Sequence, residues 1–210
     1  MAQQYIELVS GKSSDGKNSP KKGSDSKSSR HKNTMRADDL ALIGRHLSAR
    51  SGLVLDAGCG PGHLTDHLRS LDIDAIGIDL VPEFMEHARA AYPTGRYALG
   101  SMSQLPVPDQ SIAGILCWFS LIHLPPNDIG SVLAELRRVA APEATLVTGF
   151  FHGEEILPFG HKVTTAYYWP VDELSARLKR AGFTEVERLA RPGVDESGRR
   201  PPAALAAVAN

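Results

Sequence analysis

The sequence predicts an α/β fold, a single sandwich around a largely parallel sheet. Three observations carry that prediction. Short apolar runs bounded by turn residues alternate with amphipathic stretches of about ten to fifteen residues, as strand-helix crossover units do. The first apolar run feeds a glycine-rich turn, "DAGCGPG" at 56–62. The last two apolar runs have no helix between them and read as a hairpin, so one strand runs antiparallel.

The elements follow in order. "RADDLALIGRHLSA" places Leu40, Ile43 and Leu47 at helical spacing behind Asp38 and Asp39, which suit a helix start. "GLVLDAG" is a short buried strand, and "GHLTDHLRSL" a helix with Leu64, Leu68 and Leu71 on one face. "DAIGIDL" is the second strand, followed by the helix "PEFMEHARAAY" with Pro82 near its start. "RYALG" is a third, short strand. "SIAGILCWFSL" is a fourth, apolar almost throughout, as a strand covered on both faces would be. "NDIGSVLAELRRVA" turns Ile129, Val132, Leu133 and Leu136 inward as a helix, and "ATLVTGFF" is the fifth strand. "PVDELSARLKRAGF" is the last helix, stopped at Gly182. "EVERLA" and "ALAAVA", joined by "RPGVDESGRRPP", form the closing hairpin.

Composition narrows the class. The 210 residues suffice for one domain with a substantial core. No apolar run approaches the roughly 20 residues that span a bilayer, and residues 1–10 lack the apolar core of a secretory signal. Two cysteines, Cys59 and Cys117, fit a reducing compartment better than a disulfide framework, and neither belongs to a metal-like cluster. A cytoplasmic protein is the expectation.

The net charge of -1 hides an asymmetry. Residues 10–36 carry eight basic and two acidic side chains, net +6, leaving -7 elsewhere. That tract is rich in Ser, Gly and Lys and cannot bury enough surface to offset its ordering entropy. It reads as a flexible segment over 1–35, with a domain over 36–210. A basic arm touching an acidic partner is the alternative, but no aromatic residues are interleaved as single-stranded nucleic acid would want.

The glycine turn points to a ligand. In an open parallel sheet, ligands bind beyond the carboxyl ends of the strands, where strand order reverses. A dinucleotide fingerprint needs G-x-G-x-x-G. Gly58 and Gly60 supply two glycines, but His63 stands at the third position and Gly62 comes one early. No lysine follows as a P-loop requires. Asp56, at the strand end, is an awkward neighbour for a pyrophosphate and a good one for a ligand bringing an ammonium group. S-adenosylmethionine brings that group and a sulfonium, with no phosphate. Asp79, nineteen positions after Gly60, can accept both hydroxyls of a ribose. That feature alone does not separate the sulfonium cofactor from NAD. A glycine turn used only for tight strand-helix packing is the plainer alternative.

"VLDAGCGPG", "IGIDL" and "ALGSMSQLPVPDQSIAGILCWFSLIHL" together resemble the ordered motifs of class I S-adenosylmethionine-dependent methyltransferases, in the branch acting on small molecules. The resemblance covers about residues 36 to 209. It implies a Rossmann-like three-layer sandwich with a seven-stranded sheet in the order 3-2-1-4-5-7-6, the seventh strand antiparallel. It also implies that Asp56, Gly58 and Gly60 line the methionine end, Asp79 holds the ribose and Leu80 packs on the adenine. Ser101 and Met102 would flank the base, and Trp118 would lie along the cofactor. Many relatives carry an aspartate where this chain has Ser101, which accepts more weakly from the adenine amino group. Relatives also begin with an aromatic-bearing helix over the cofactor, matched here only by "QQYIELVSG" with Tyr5.

Methyl transfer is an in-line displacement at an activated carbon, so alignment dominates and a base is needed only when the nucleophile must lose a proton. The candidates are His123, His161 and Tyr168, with His152 and Tyr167 nearby in sequence. A histidine capping the fourth strand is the other reading of His123, and an exposed loop histidine that of His161. Trp118, Phe119, Tyr167, Tyr168 and Trp169 would suit a small, partly apolar acceptor, or serve simply as core. The expected partner is a small-molecule acceptor, with no membrane and no nucleic acid, in a monomer or dimer. A cofactor binder without transfer activity and an NAD(P)-dependent oxidoreductase are the alternatives.

Overall fold

The computed structural model describes residues 35–49, 51–161, 164–191, 193–194 and 201–210. The basic tract up to Thr34, with Tyr5, lies outside the described residues.

Seven strands form the sheet: β1 (Val54–Ala57), β2 (Ala75–Asp79), β3 (Tyr97–Leu99), β4 (Ile112–Trp118), β5 (Ala140–Phe150), β8 (Phe183–Leu189) and β9 (Ala203–Ala209). Their order is β3-β2-β1-β4-β5-β9-β8. The first five are parallel, and β9 runs antiparallel to both β5 and β8. This is the expected topology, closing hairpin included. Each of β1, β2 and β4 is buried or half-buried along its length, which is why, Asp56 and Asp79 apart, apolar and small residues fill them without alternation.

Among the described residues, five helices cover the two faces: α1 (Ala37–Leu47), α2 (His63–Ser70), α3 (Pro82–Ala91), α4 (Ile129–Val139) and α5 (Val171–Arg180). On one face, Leu42, Ile43 and Leu47 of α1 and Leu64 and Leu68 of α2 pack with Val54, Leu116 and Val147 from the sheet. On the other, Ile129, Val132, Leu133 and Leu136 of α4 and Leu174 and Leu178 of α5 meet Leu55, Ile115 and Leu146. Val54 and Leu55 therefore serve opposite layers, as the period-2 geometry of a strand requires. The first helix is tied to the far sheet edge by charge: Arg191 donates to Asp39 at 2.8 Å, and Arg45 meets Glu187 at 2.6 Å. No helix among the described residues is long and apolar enough to cross a membrane.

Three local expectations need correction. The fourth strand stops at Trp118, and the chain then turns into a short 3-10 segment, Leu121–His123, instead of running extended to Leu121. Phe119 takes a positive φ of 54°, and its N–H still bonds Gly149 O at 2.9 Å, so the chain bends sharply while keeping one ladder contact. The fifth strand begins at Ala140, directly after α4. Its pairing with β4 slips between Ile112↔Ala140 and Gly114↔Thr145, and Glu143 at φ 61° absorbs the extra residues. Finally, the insertion after β5 contains a hairpin, β6 (Pro158–His161) paired antiparallel with β7 (Thr164–Tyr167). Its sequence lacks the alternation of a half-buried strand because, among the described residues of the hairpin, only Ala166 is buried.

Candidate active site

The carboxyl ends of β1, β2, β3 and β4 converge on one edge of the sheet, and the strand order reverses beside β1. The glycine turn crosses this edge. Gly58, Gly60 and Gly62 all have positive φ, at 78°, 54° and 88°, a backbone region open to glycine at little cost. Their surroundings differ. A Cβ at Gly58 would stand 2.3 Å from Ser120 Cβ, and one at Gly62 would stand 2.8 Å from Ala88 Cβ. A Cβ at Gly60 would meet nothing within 4 Å. Two glycines thus serve close packing, and the third faces open space. Gly62, one position early for a dinucleotide turn, lets α2 start against α3 and Tyr97.

Asp79 ties this turn to the next loop. Its Oδ2 accepts from Gly60 N–H at 2.9 Å and its Oδ1 from Val81 N–H at 3.0 Å. A carboxylate has about four acceptor positions, so each oxygen keeps capacity for a hydroxyl donor. Beside it, Leu80 is 64% exposed and Leu99 is 55% exposed, an unusual display for leucines at strand ends. Asp79 pairs directly with Leu99 across β2 and β3. An apolar shelf therefore borders a half-buried carboxylate. Leu99 was missed in the sequence because its run reads simply as a short strand.

Asp56 sits differently from the position its sequence suggests. The residue is 1% exposed, beneath the turn, and its Oδ2 accepts from Thr65 Oγ1 at 2.6 Å. Burial pushes its pKa up from 3.8 to about 7, the Thr65 hydrogen bond opposes this, and the Asp79 charge adds to the rise. Cys59 and Cys117 are buried free thiols whose pKa values burial pushes up, and both pack as small apolar residues.

Ser101 and Met102 reach the same edge. Met102 lies against Gly58, with its Cε 3.1 Å from where a Cβ would stand. The Ser101 hydroxyl is engaged locally, 2.7 Å from Ser103 Oγ and accepting from Ser103 N–H at 3.1 Å. Ser120, not singled out in the sequence, donates to Ala57 O at 2.7 Å and closes the floor under Gly58. Trp118 spreads its indole over Gly149, where a Cβ would come within 2.8 Å of the ring, and packs against the core cluster that includes Leu42, Ile43, Leu116 and Val147.

The three residues considered for proton transfer come together. His123, at the end of the 3-10 segment, stacks on His161 of β6 with centroids 5.4 Å apart. Phe151 lies at the centre of the group, 5.2 Å from His161, 6.4 Å from Tyr168, 4.8 Å from Phe119 and 5.2 Å from Phe159. Phe159 stacks on Tyr168 at 4.2 Å. Phe151 and Phe159 gave no sequence signal of a shared site: the β4–β5 pairing sets Phe151 beside the end of β4, and the hairpin then brings Phe159 onto it. Trp169 is fully buried in the core, with the Arg177 guanidinium 4.9 Å from its ring centroid. Among the described residues no cluster of His, Cys, Asp or Glu has the makings of a metal site.

Comparison with known proteins agrees with this geometry. Residues 54–143 match the family described as a methyltransferase domain. A malonyl-(acyl-carrier protein) O-methyltransferase of Yersinia pestis is 32% identical over 158 residues, 66% of this chain and 58% of that protein. An uncharacterised methyltransferase of Mycobacterium tuberculosis is 36% identical over 100 residues, 48% of this chain and 40% of its own. The chain thus spans about half the length of the curated relatives it matches. Among solved structures, the 1,6-didemethyltoxoflavin-N1-methyltransferase of Burkholderia thailandensis, with bound 1,6-didemethyltoxoflavin and S-adenosylhomocysteine, shares the fold. Its TM-score is 0.69 at 23% identity, over 83% of this chain and 77% of that one.

Proposed function

We propose that the chain is a class I S-adenosylmethionine-dependent methyltransferase, as its match to a methyltransferase domain over residues 54–143 and its likeness to named methyltransferases support, and that it transfers a methyl group to a small molecule held between the glycine turn and the β6–β7 hairpin. The observation that carries this reading is the set of features on one sheet edge: open space above Gly60, the Asp79 carboxylate beside it, and the exposed Leu80 and Leu99. These residues fit the cofactor. Asp79 would take the ribose hydroxyls, Leu80 and Leu99 the adenine face, and the Gly58–Gly60 backbone the methionine end. Asp56 would act from beneath the turn, its ionised form favoured by the ammonium group above. When bound, the cofactor supplies a methyl carbon already activated by positive sulfur. The protein's work is then alignment and exclusion of water, for which proximity alone offers roughly 7–11 kcal/mol in favourable models.

A second reading of the acceptor is a carboxylate on a carrier-bound malonyl group, favoured by the names of the curated relatives. Calorimetric titration with S-adenosylhomocysteine, NAD and NADP tests the donor. Binding of the first alone supports the proposal, and absence of its binding overturns it. Methylation of malonyl-coenzyme A would favour the carboxylate reading. Binding of S-adenosylhomocysteine without turnover of any acceptor would leave a cofactor-binding protein of the same fold.

A further inference from the structure

We propose that His123 is the base that deprotonates the acceptor, and that the acceptor is a small planar ring bearing an O–H or N–H. This assignment rests on the methyltransferase reading above and deepens it.

The argument starts from one hydrogen bond. His123 Nδ1 lies 3.0 Å from the backbone oxygen of Thr165, on β7. A carbonyl oxygen only accepts, so Nδ1 must carry the proton. In the neutral ring Nε2 is then the unprotonated nitrogen, a lone pair fixed in identity by the hairpin. His123 as a residue is exposed. The residue also sits three positions after Ser120, whose side chain underlies Gly58 in the cofactor turn. The base therefore stands at the junction of donor edge and hairpin.

The neighbouring surface defines what the base would act on. Phe119, Phe151, Phe159 and Tyr168 form a continuous series of ring contacts that reaches His161, and His161 stacks on His123. Flat aromatic walls favour flat ligands through offset and edge contacts. His161 from β6 stacks on His123, and Tyr168, just past β7, joins the same wall through Phe151 and Phe159. A carboxylate acceptor is ionised at neutral pH and needs no base. A ring hydroxyl or ring N–H does need one, and the tautomer set by Thr165 provides it.

The step balances simply. Nε2 takes the acceptor's proton as the O or N electron pair forms the new bond to the methyl carbon. The C–S bonding pair stays with sulfur, leaving neutral S-adenosylhomocysteine, and the imidazolium proton leaves to solvent.

Two variants separate base from brace. His123→Asn keeps a donor near the Nδ1 position, able to hold Thr165 O, but has no Nε2. His123→Ala loses both. With S-adenosylhomocysteine bound, ¹⁵N NMR of the wild type should show His123 as the Nδ1–H tautomer. In 4-methylphenol methylation near pH 7, both variants should lose 10²- to 10⁴-fold in kcat, the range of general-base contributions. Their S-adenosylhomocysteine affinity should stay within about threefold, and the loss should shrink at high pH, where this phenol ionises unaided. An Nε2–H tautomer, rescue by His123→Asn, or a loss independent of pH would overturn the assignment. So would methylation of malonyl-coenzyme A with no turnover of 4-methylphenol or other planar O–H and N–H rings. Failure of S-adenosylhomocysteine to bind the wild type would instead defeat the underlying methyltransferase reading.

Discussion

Replacing Asp56 with asparagine should stabilise the cofactor-free protein above pH 7 while weakening its hold on the cofactor. The carboxyl is buried, with Thr65 Oγ1 donating to it at 2.6 Å and Asp79 adding a like charge. A rise from 3.8 to about 7 corresponds to about 4 kcal/mol of preference for the neutral form at full effect. The sign follows from linkage. Folding raises this pKa, so the folded state binds the proton more tightly than the unfolded chain does. Stability is therefore least above pH 7, grows as pH falls through 7, and levels off below about 4. Asparagine retains an acceptor for Thr65 and has no such dependence. Denaturant unfolding of both proteins at pH 8, 6 and 5 should show the variant ahead by about 2–4 kcal/mol at pH 8, the gap narrowing steadily towards pH 5. Glu135, Glu185 and Glu187, held below the usual carboxylate range chiefly by hydrogen bonds from Arg138, Arg188 and His46 respectively, lose their contribution as pH falls. They do so in both proteins, so the difference isolates Asp56. Calorimetry at pH 8 should show S-adenosylhomocysteine binding about tenfold more weakly to the variant. A stability gap equal at pH 8 and pH 5 would refute the reasoning.

Asp79→Ala removes the acceptor for both Gly60 N–H and Val81 N–H as well as the proposed ribose partner, and should weaken S-adenosylhomocysteine binding by 100-fold or more by calorimetry. Unchanged affinity would remove Asp79 from the site. Gly58→Ala forces a Cβ to 2.3 Å from Ser120 and should cost about 2–3 kcal/mol in denaturant unfolding, whereas Gly60→Ala, with space around it, should cost about 1–2 kcal/mol from its left-handed backbone. Gly60→Ala should nonetheless impair cofactor binding, because its methyl group enters the open space above the turn. Leu80→Asp should lower S-adenosylhomocysteine affinity about tenfold and leave the unfolding midpoint within error, since the side chain is 64% exposed.

Much of the fold was legible because its elements are locally encoded. Buried parallel strands such as β4 need apolar residues throughout, and helices such as α4 need them every third or fourth position, so both are visible in one dimension. The closing hairpin was visible for the same reason. The glycine turn and Asp79 were legible as a pair because a strand-helix-strand unit sets their spacing. The hairpin β6–β7 was not, since its strands are short, mostly exposed and stabilised by pairing with each other and by docking on the 3-10 segment.

By itself, then, the sequence determined the alternation of strands and helices, the closing hairpin and the glycine turn with its paired Asp79, all properties of residues near one another along the chain, while the sheet order came from the family resemblance. Only the tertiary structure decided that Asp56 lies beneath the turn, where burial, not exposure to ligand, sets its charge. Only it divided the glycines into two that accommodate neighbours and one that faces open space. It also decided that His123, His161, Phe151 and Tyr168 share one wall, because contacts between segments up to about forty residues apart depend on how the chain returns, which no local pattern records.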